Sequence, residues 1–167
     1  MKQSLPTVNP RIIWDWGVCE TYRDAEFLRN LMKGKEEVDA MDVLALDIRP
    51  VDKLWALLRK ELLPAEVLDA FTSLILAMED VPADLQVDAA RGRINGDIRK
   101  ESVREALRKR AHVDHRWDAC RHVAAAVKYS GVRNWAQEYG RQLAILVEEL
   151  ERWISSQDSK ETGKGRS

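Results

Sequence analysis

Apolar residues recur at intervals of three and four along most of the chain, which is the spacing of helices with one buried face. The clearest apolar stripe follows Pro64 and consists of Val67, Leu68, Phe71, Leu74, Ile75 and Met78. No segment alternates apolar and polar residues over more than a few positions, as a half-buried strand would. The pattern therefore predicts an all-α fold, a single compact bundle of six or seven helices.

Prolines and glycines mark the predicted helix boundaries. Pro50 and Pro64 each precede an apolar stripe and suit the first helical position, where the missing N–H costs nothing. Gly34 and Gly131 each follow a stripe and predict a helix end. The predicted helices cover residues 14–32, 36–46, 82–90, 98–129 and 132–154, and two further helices begin at Pro50 and Pro64. The polar residues 155–167 predict a disordered tail, so the predicted helical domain covers 1–154.

Six tryptophans occur in the chain, and most of them fall on apolar stripes. Those predicted to pack in the core are Trp55, Trp117, Trp135 and Trp153. In Trp14-Asp15-Trp16 the two rings point to different sides of a helix, so one of them is expected to be exposed. Exposed tryptophans are enriched at binding hot spots, and Trp16 is therefore a candidate partner contact.

Charge is unevenly distributed although the net charge is only -1. Segment 61–88 holds seven acidic residues and no Lys, Arg or His, whereas segment 91–121 holds ten Lys and Arg against five acidic residues. One interpretation is that the two segments pair within one bundle or across a homodimer. The other is a basic surface for a nucleic acid or for an acidic protein.

All three histidines, His112, His115 and His122, lie within eleven residues. On a helix His115, Asp118 and His122 share one face, which is the spacing of ligands for one divalent metal such as zinc. However, a zinc site needs three or four protein ligands, and no His-Glu-x-x-His sequence is present. The apolar stripe of the same helix places these histidines opposite the core, so we predict a surface role and no resident metal or other cofactor.

The same predicted helix carries the candidate partner-contact surface. Its residues are Arg104, Arg108, His112, His115, Asp118 and His122, to which Trp16 is added. Binding of nucleic acid by the basic segment 91–121 is the alternative, but acidic residues interleave with the cations and no aromatic residues alternate with them to stack on bases.

The chain lacks the features of exported and membrane proteins. Its first residues carry no apolar run of a signal peptide, and no stretch approaches the ~20 apolar residues of a membrane span. Cys19 and Cys120 are therefore expected to be reduced thiols in a cytoplasmic protein. No nucleotide-binding or nucleophile–base motif is present, which favours a non-enzymatic protein.

Two stretches, residues 51–71 (containing Leu-Trp-Ala-Leu-Leu-Arg-Lys-Glu-Leu-Leu-Pro) and residues 87–106, support a family resemblance. Across about residues 50–128 the chain resembles small all-helical proteins of bacteria and their phages, some of which are classed with immunity proteins. The resemblance implies a helical fold and a role in conflict between bacteria, or between phage and host. The leading hypothesis is thus a protein-binding module, immunity-protein-like or a phage-encoded inhibitor, that occludes a toxin, host or defence protein. The alternatives are a nucleic-acid-binding protein and a metal-dependent enzyme at His115, Asp118 and His122.

Overall fold

The computed structural model describes residues 4–17, 25–77, 116–129 and 131–164. Over these residues it is mostly helical, and it contains no strands, so the predicted all-α class is confirmed. The described helices are α1 (Pro10–Asp15), α2 (Ala25–Leu31), α3 (Ala40–Leu44), α4 (Pro50–Leu57), α5 (Ala65–Ala77), α6 (Arg116–Tyr129) and α7 (Trp135–Lys164).

Helix α1 begins where the Asn9 side chain accepts a hydrogen bond from the backbone N–H of Arg11, with Pro10 at the first helical position. The helix ends at Trp16, because Gly17 adopts a φ of +82°, which an L-residue rarely takes. The prediction of one helix over 14–32 was therefore wrong. The segment contains the end of α1 and the separate helix α2.

Helix α3 is shorter than the predicted span 36–46. The Asp39 side chain accepts hydrogen bonds from the first-turn N–H groups, and the Asp42 carboxylate accepts one from the backbone N–H of Asp39. This capping box starts the helix only after Asp39. Just before it, Val38 forms an antiparallel bridge with Val8, with N–H to O distances of 2.9 Å in both directions.

Helix α4 begins at Pro50 as predicted, whereas Pro64 lies just before α5 and its carbonyl accepts the N–H of Leu68. The stripe predicted for α5 was partly wrong. Leu74 is exposed, while Thr72 and Leu76 are buried. The reason is that α5 packs against both α6 and α7, which gives it a broader buried face than a single partner would.

The described part of the predicted helix 98–129 is α6, and residues 98–115 lie outside the described residues, as does the predicted helix 82–90. The apolar stripe predicted for α6 is confirmed at Cys120, Ala124 and Val127, which are buried. Gly131 has a φ of +77°, and its N–H donates to the carbonyl of Lys128 at 3.0 Å, so the predicted end of the helix is confirmed.

Helix α7 begins three residues later than predicted and ends ten residues later. At its start Asn134 and Gln137 form reciprocal side-chain to backbone hydrogen bonds of 2.9 and 3.0 Å, which fixes Asn134 as the cap. At its end the helix continues to Lys164, so the predicted helix end at 154 was wrong. Once the apolar half has formed, adding polar residues costs little, and the hydroxyl groups of Ser156 and Ser159 bond to carbonyls one turn back.

Helix α7 organises the core by packing against α4, α5 and α6. The largest fully buried side chains include Phe71, Leu54, Leu146 and Leu150. Arg116 of the basic segment and Asp69 of the acidic segment form an ion pair at 2.6 Å, so the two segments meet within one chain at this position. Among the described helices, none combines the length and the apolar character required to cross a bilayer.

Candidate partner-binding site

The guanidinium group of Arg59 lies close to two indole rings. Its central carbon is 4.6 Å from the ring centroid of Trp16 and 4.9 Å from that of Trp55. Trp55 is in the last turn of α4, and Arg59 follows the end of that helix, where the chain leaves the helical path at Leu58. Trp16 comes from the end of α1, so the second ring is supplied by tertiary packing. Both rings are half-buried and pack against the core.

The arrangement gives Arg59 aromatic neighbours but no hydrogen-bond acceptor. Its Nε atom is buried without a partner, and no carboxylate of the described residues forms an ion pair with it. Burial lowers the pKa of the guanidinium, and the negative charge of Glu61 only partly opposes this effect. The group nevertheless stays charged, because arginine is not deprotonated in proteins at ordinary pH.

Five other arginines of the described residues are paired with carboxylates. They are Arg49 with Asp52, Arg116 with Asp69, Arg133 and Arg141 with Glu138, and Arg152 with Glu148 and Glu149. Arg59, which is half-buried beside two indoles and has no carboxylate partner among the described residues, is different from these five. Its planar fork of donors is the group that recognises carboxylates in a bidentate manner.

A cavity of about 230 Å³ lies next to this cluster and is lined mainly by apolar side chains. The lining includes Ile13, Leu28, Met32, Val43, Trp55 and Trp117. Among the described residues that line it, Asp52 is the only charged one, and its two oxygens accept hydrogen bonds from Arg49 at 2.8 and 3.2 Å. The cavity therefore presents an apolar surface with its one carboxylate already neutralised.

A second cluster of charges surrounds Glu138, which is fully buried. Its carboxylate accepts hydrogen bonds from Arg133 at 2.8 Å, from Arg141 at 3.1 Å and from Gln142 at 3.1 Å. Gln142 also donates to the carbonyl of Cys120, at 3.2 Å, and so ties α7 to α6. Because the buried carboxylate itself is paired with two arginines and a glutamine of the chain, we assign this cluster to folding rather than to binding.

The described residues offer little for catalysis. The Cys120 thiol is buried, and burial together with the charge of Glu138 raises its pKa well above the ordinary value. A thiol held protonated in this way is a poor nucleophile. Over the described ranges, no three His, Cys, Asp or Glu residues come together as a metal site would require.

The predicted core tryptophans pack at the edge of the core rather than at its centre. Trp55, Trp117 and Trp153 are half-buried and contact it. Trp117 stacks on Tyr139 with centroids 5.9 Å apart, and Tyr139 stacks on Trp135 at 6.1 Å. Trp117, Tyr139 and Trp135 therefore form an aromatic rim where α6 meets α7, and Trp117 also lines the cavity.

The site residues predicted from the sequence fall largely outside what the structure describes. Arg104, Arg108, His112 and His115 are outside the described residues, and so are the side chains of Asp118 and His122, whose backbone is in α6. Trp16 is half-buried, and Trp14 is the more exposed ring of the pair at 39%.

Arg59 was not among the predicted site residues, because Arg59, Lys60 and Glu61 look like an ordinary solvated run of charges. Nothing local in the sequence indicates the contact of Arg59 with Trp16. Comparison with protein-family models, with curated proteins and with solved structures found no match for this chain. The proposed function therefore depends on the geometry of this site.

Proposed function

We propose that this protein is a non-enzymatic binding module that docks an acidic segment of a partner protein on Trp16, Trp55 and Arg59. The observation that carries the proposal is the Arg59 guanidinium, which contacts two indoles and has no acceptor among the described residues. A charge removed from water without a hydrogen-bond partner is costly, and a partner carboxylate would remove that cost.

The geometry of the cluster favours an acidic protein segment. The indoles contact the guanidinium, and its terminal nitrogens have no acceptor among the described residues, so these nitrogens can donate to one carboxylate. The rings also restrict the arginine before binding, which lowers the entropy lost on association. Trp and Arg are the residues most enriched at the energetic centres of protein interfaces.

The identity of the partner is suggested by the family resemblance, which favours a toxin, host or defence protein that this chain occludes. The sequence-predicted surface on 98–122 belongs to the same proposal, because a basic helix would also attract an acidic partner and speed its association. This surface comprises Arg104, Arg108, His112, His115, Asp118 and His122.

The proposal is tested by affinity capture from nuclease-treated lysate of the source organism, comparing wild type with Arg59→Met. Methionine keeps much of the apolar length of the side chain but removes its charge and donors. We expect one protein in near one-to-one amount, with its recovery reduced at least tenfold by the substitution, as is typical of a hot-spot arginine. Hydrogen exchange should show the complex protecting residues 14–17 and 55–61.

Arg152→Met is the matched control, since Arg152 is exposed on α7 and already paired with carboxylates. It should leave recovery unchanged. Recovery of no stoichiometric protein by wild type contradicts the proposal, as does a partner that Arg59→Met retains in full.

A further inference from the structure

The apolar cavity and the Arg59 cluster share the same structural elements. Trp55 stacks on Arg59 and also lines the cavity. Gly17 also lines the cavity, and its neighbour Trp16 is the other ring that contacts the guanidinium. A ligand bound to Arg59 would therefore lie close to Trp55, which forms part of the wall of the cavity.

The chemistry of the cavity selects an uncharged group. Its lining is mostly aliphatic and aromatic, and Asp52 is held by both donors of Arg49. A cationic group would have to compete with Arg49 for the carboxylate, and an anionic group would be repelled by it. The volume of about 230 Å³ exceeds the roughly 150 Å³ of an apolar cavity that takes up benzene. It therefore has room for one aromatic or branched aliphatic side chain.

We infer that this cavity is an anchor pocket for an apolar side chain of the same partner segment whose carboxylate binds Arg59. The recognised element is then an apolar and an acidic side chain in one short segment, with Trp55 between the two subsites. This inference rests on the proposed function, and it adds the second half of the recognition chemistry. Apolar anchors in a preformed pocket supply binding energy, while the neighbouring ion pair supplies selectivity.

The cavity is tested first with toluene, which carries the apolar group alone. Toluene added to protein labelled with ¹⁵N at tryptophan should shift the indole N–H signals of Trp55 and Trp117, in wild type and equally in Arg59→Met. Ala56→Leu adds bulk to a buried lining position and should abolish the shifts. Ala144→Leu makes the same change at an exposed position of α7 and should preserve them. If Ala56→Leu does not fold, Val51→Phe, at a half-buried lining position, serves instead.

The joint site is tested with 3-phenylpropionate and its methyl ester, which differ only in the charge that Arg59 would bind. Wild type should prefer the acid by about tenfold, as expected for a charge-assisted hydrogen bond, and Arg59→Met should bind the two equally. Equal affinities in wild type would overturn the joint site.

The two proposals can fail separately. Absence of toluene binding to folded wild type, or shifts that survive both cavity-filling variants, would overturn the anchor pocket. The capture experiment would still stand in that case, because it depends on Arg59 and not on the cavity. Loss of Arg59-dependent capture together with normal toluene binding would instead refute the proposed function and leave an apolar cavity without a docking role.

Discussion

Glu138 and Arg59 are both charged groups largely removed from water, yet they are compensated in opposite ways. Glu138 in α7 is fully buried and accepts hydrogen bonds from two arginines and a glutamine. Arg59 after α4 is stacked on two tryptophans, and its Nε has no acceptor. The Glu138 carboxylate finds its donors within the chain, whereas the terminal nitrogens of Arg59 have no acceptor among the described residues and stay available to a group outside it.

The difference separates a structural charge from a candidate recognition charge. Removing one member of a satisfied buried network leaves its partners unpaired, so the folded state loses stability. Removing a cation that has no acceptor leaves no carboxylate stranded. Such a change should therefore affect binding far more than folding, and stability measurements can test the assignment of each cluster.

The largest effect is expected for Glu138→Gln, which keeps the shape of the side chain and removes its charge. Arg133 and Arg141 would face a neutral amide, and the free energy of unfolding should fall by about 3 kcal/mol. Urea denaturation measures the loss. Glu148→Gln is the control, because Glu148 lies on the same helix with its side chain 62% exposed, and it should change stability by less than about 0.5 kcal/mol. A similar loss in both variants would show that Glu138 contributes no more to stability than an exposed glutamate does.

A smaller effect is expected from pH at Cys120, next to the Glu138 network. Because burial raises the pKa of this thiol in the folded state, the unfolded chain loses the proton first as pH rises through the ordinary value of about 9. Stability should then decrease with rising pH, by up to about 1.4 kcal/mol per pH unit for one proton.

The measurement is the free energy of unfolding between pH 8 and 10. Cys120→Ala should flatten the slope, while Val123→Ala, a buried α6 position without a titrating group, should retain it. The pKa of Tyr139 is also raised, chiefly by burial and secondarily by Cys120, so Cys120→Ala removes part of the Tyr139 contribution together with that of the thiol. An unchanged slope in Cys120→Ala would mean that the thiol is not desolvated as described.

The smallest stability effect is expected for Arg59→Met. The variant loses two cation–π contacts but also the cost of a desolvated charge, so the free energy of unfolding should change by no more than about 1 kcal/mol. Thermal and urea denaturation of the variant beside Glu138→Gln test this directly. A loss as large as that of Glu138→Gln would show that Arg59 is a structural residue and would contradict the distinction between the two charged groups.

Much of the fold could be predicted from local patterns. The α6 stripe through Cys120 and Val127 and the start of α4 at Pro50 depend on periodicity and on backbone restrictions that a residue carries wherever it lies. Errors arose where a single residue decided between two local outcomes. Gly17 ends α1 inside a predicted helix. The exposed polar half of α7 is helical although no apolar stripe there predicts a helix.

The sequence by itself determined which faces are apolar and therefore that the chain folds as packed helices. Only the tertiary structure decided which charged group meets which partner. Trp16 and Arg59 are far apart in the chain, as are Asp69 and Arg116, and each pair forms only when separate helices dock. The physical reason is that apolar burial is nearly non-directional and can be read from spacing alone, whereas a stacked guanidinium or an ion pair needs two side chains placed within a few ångströms.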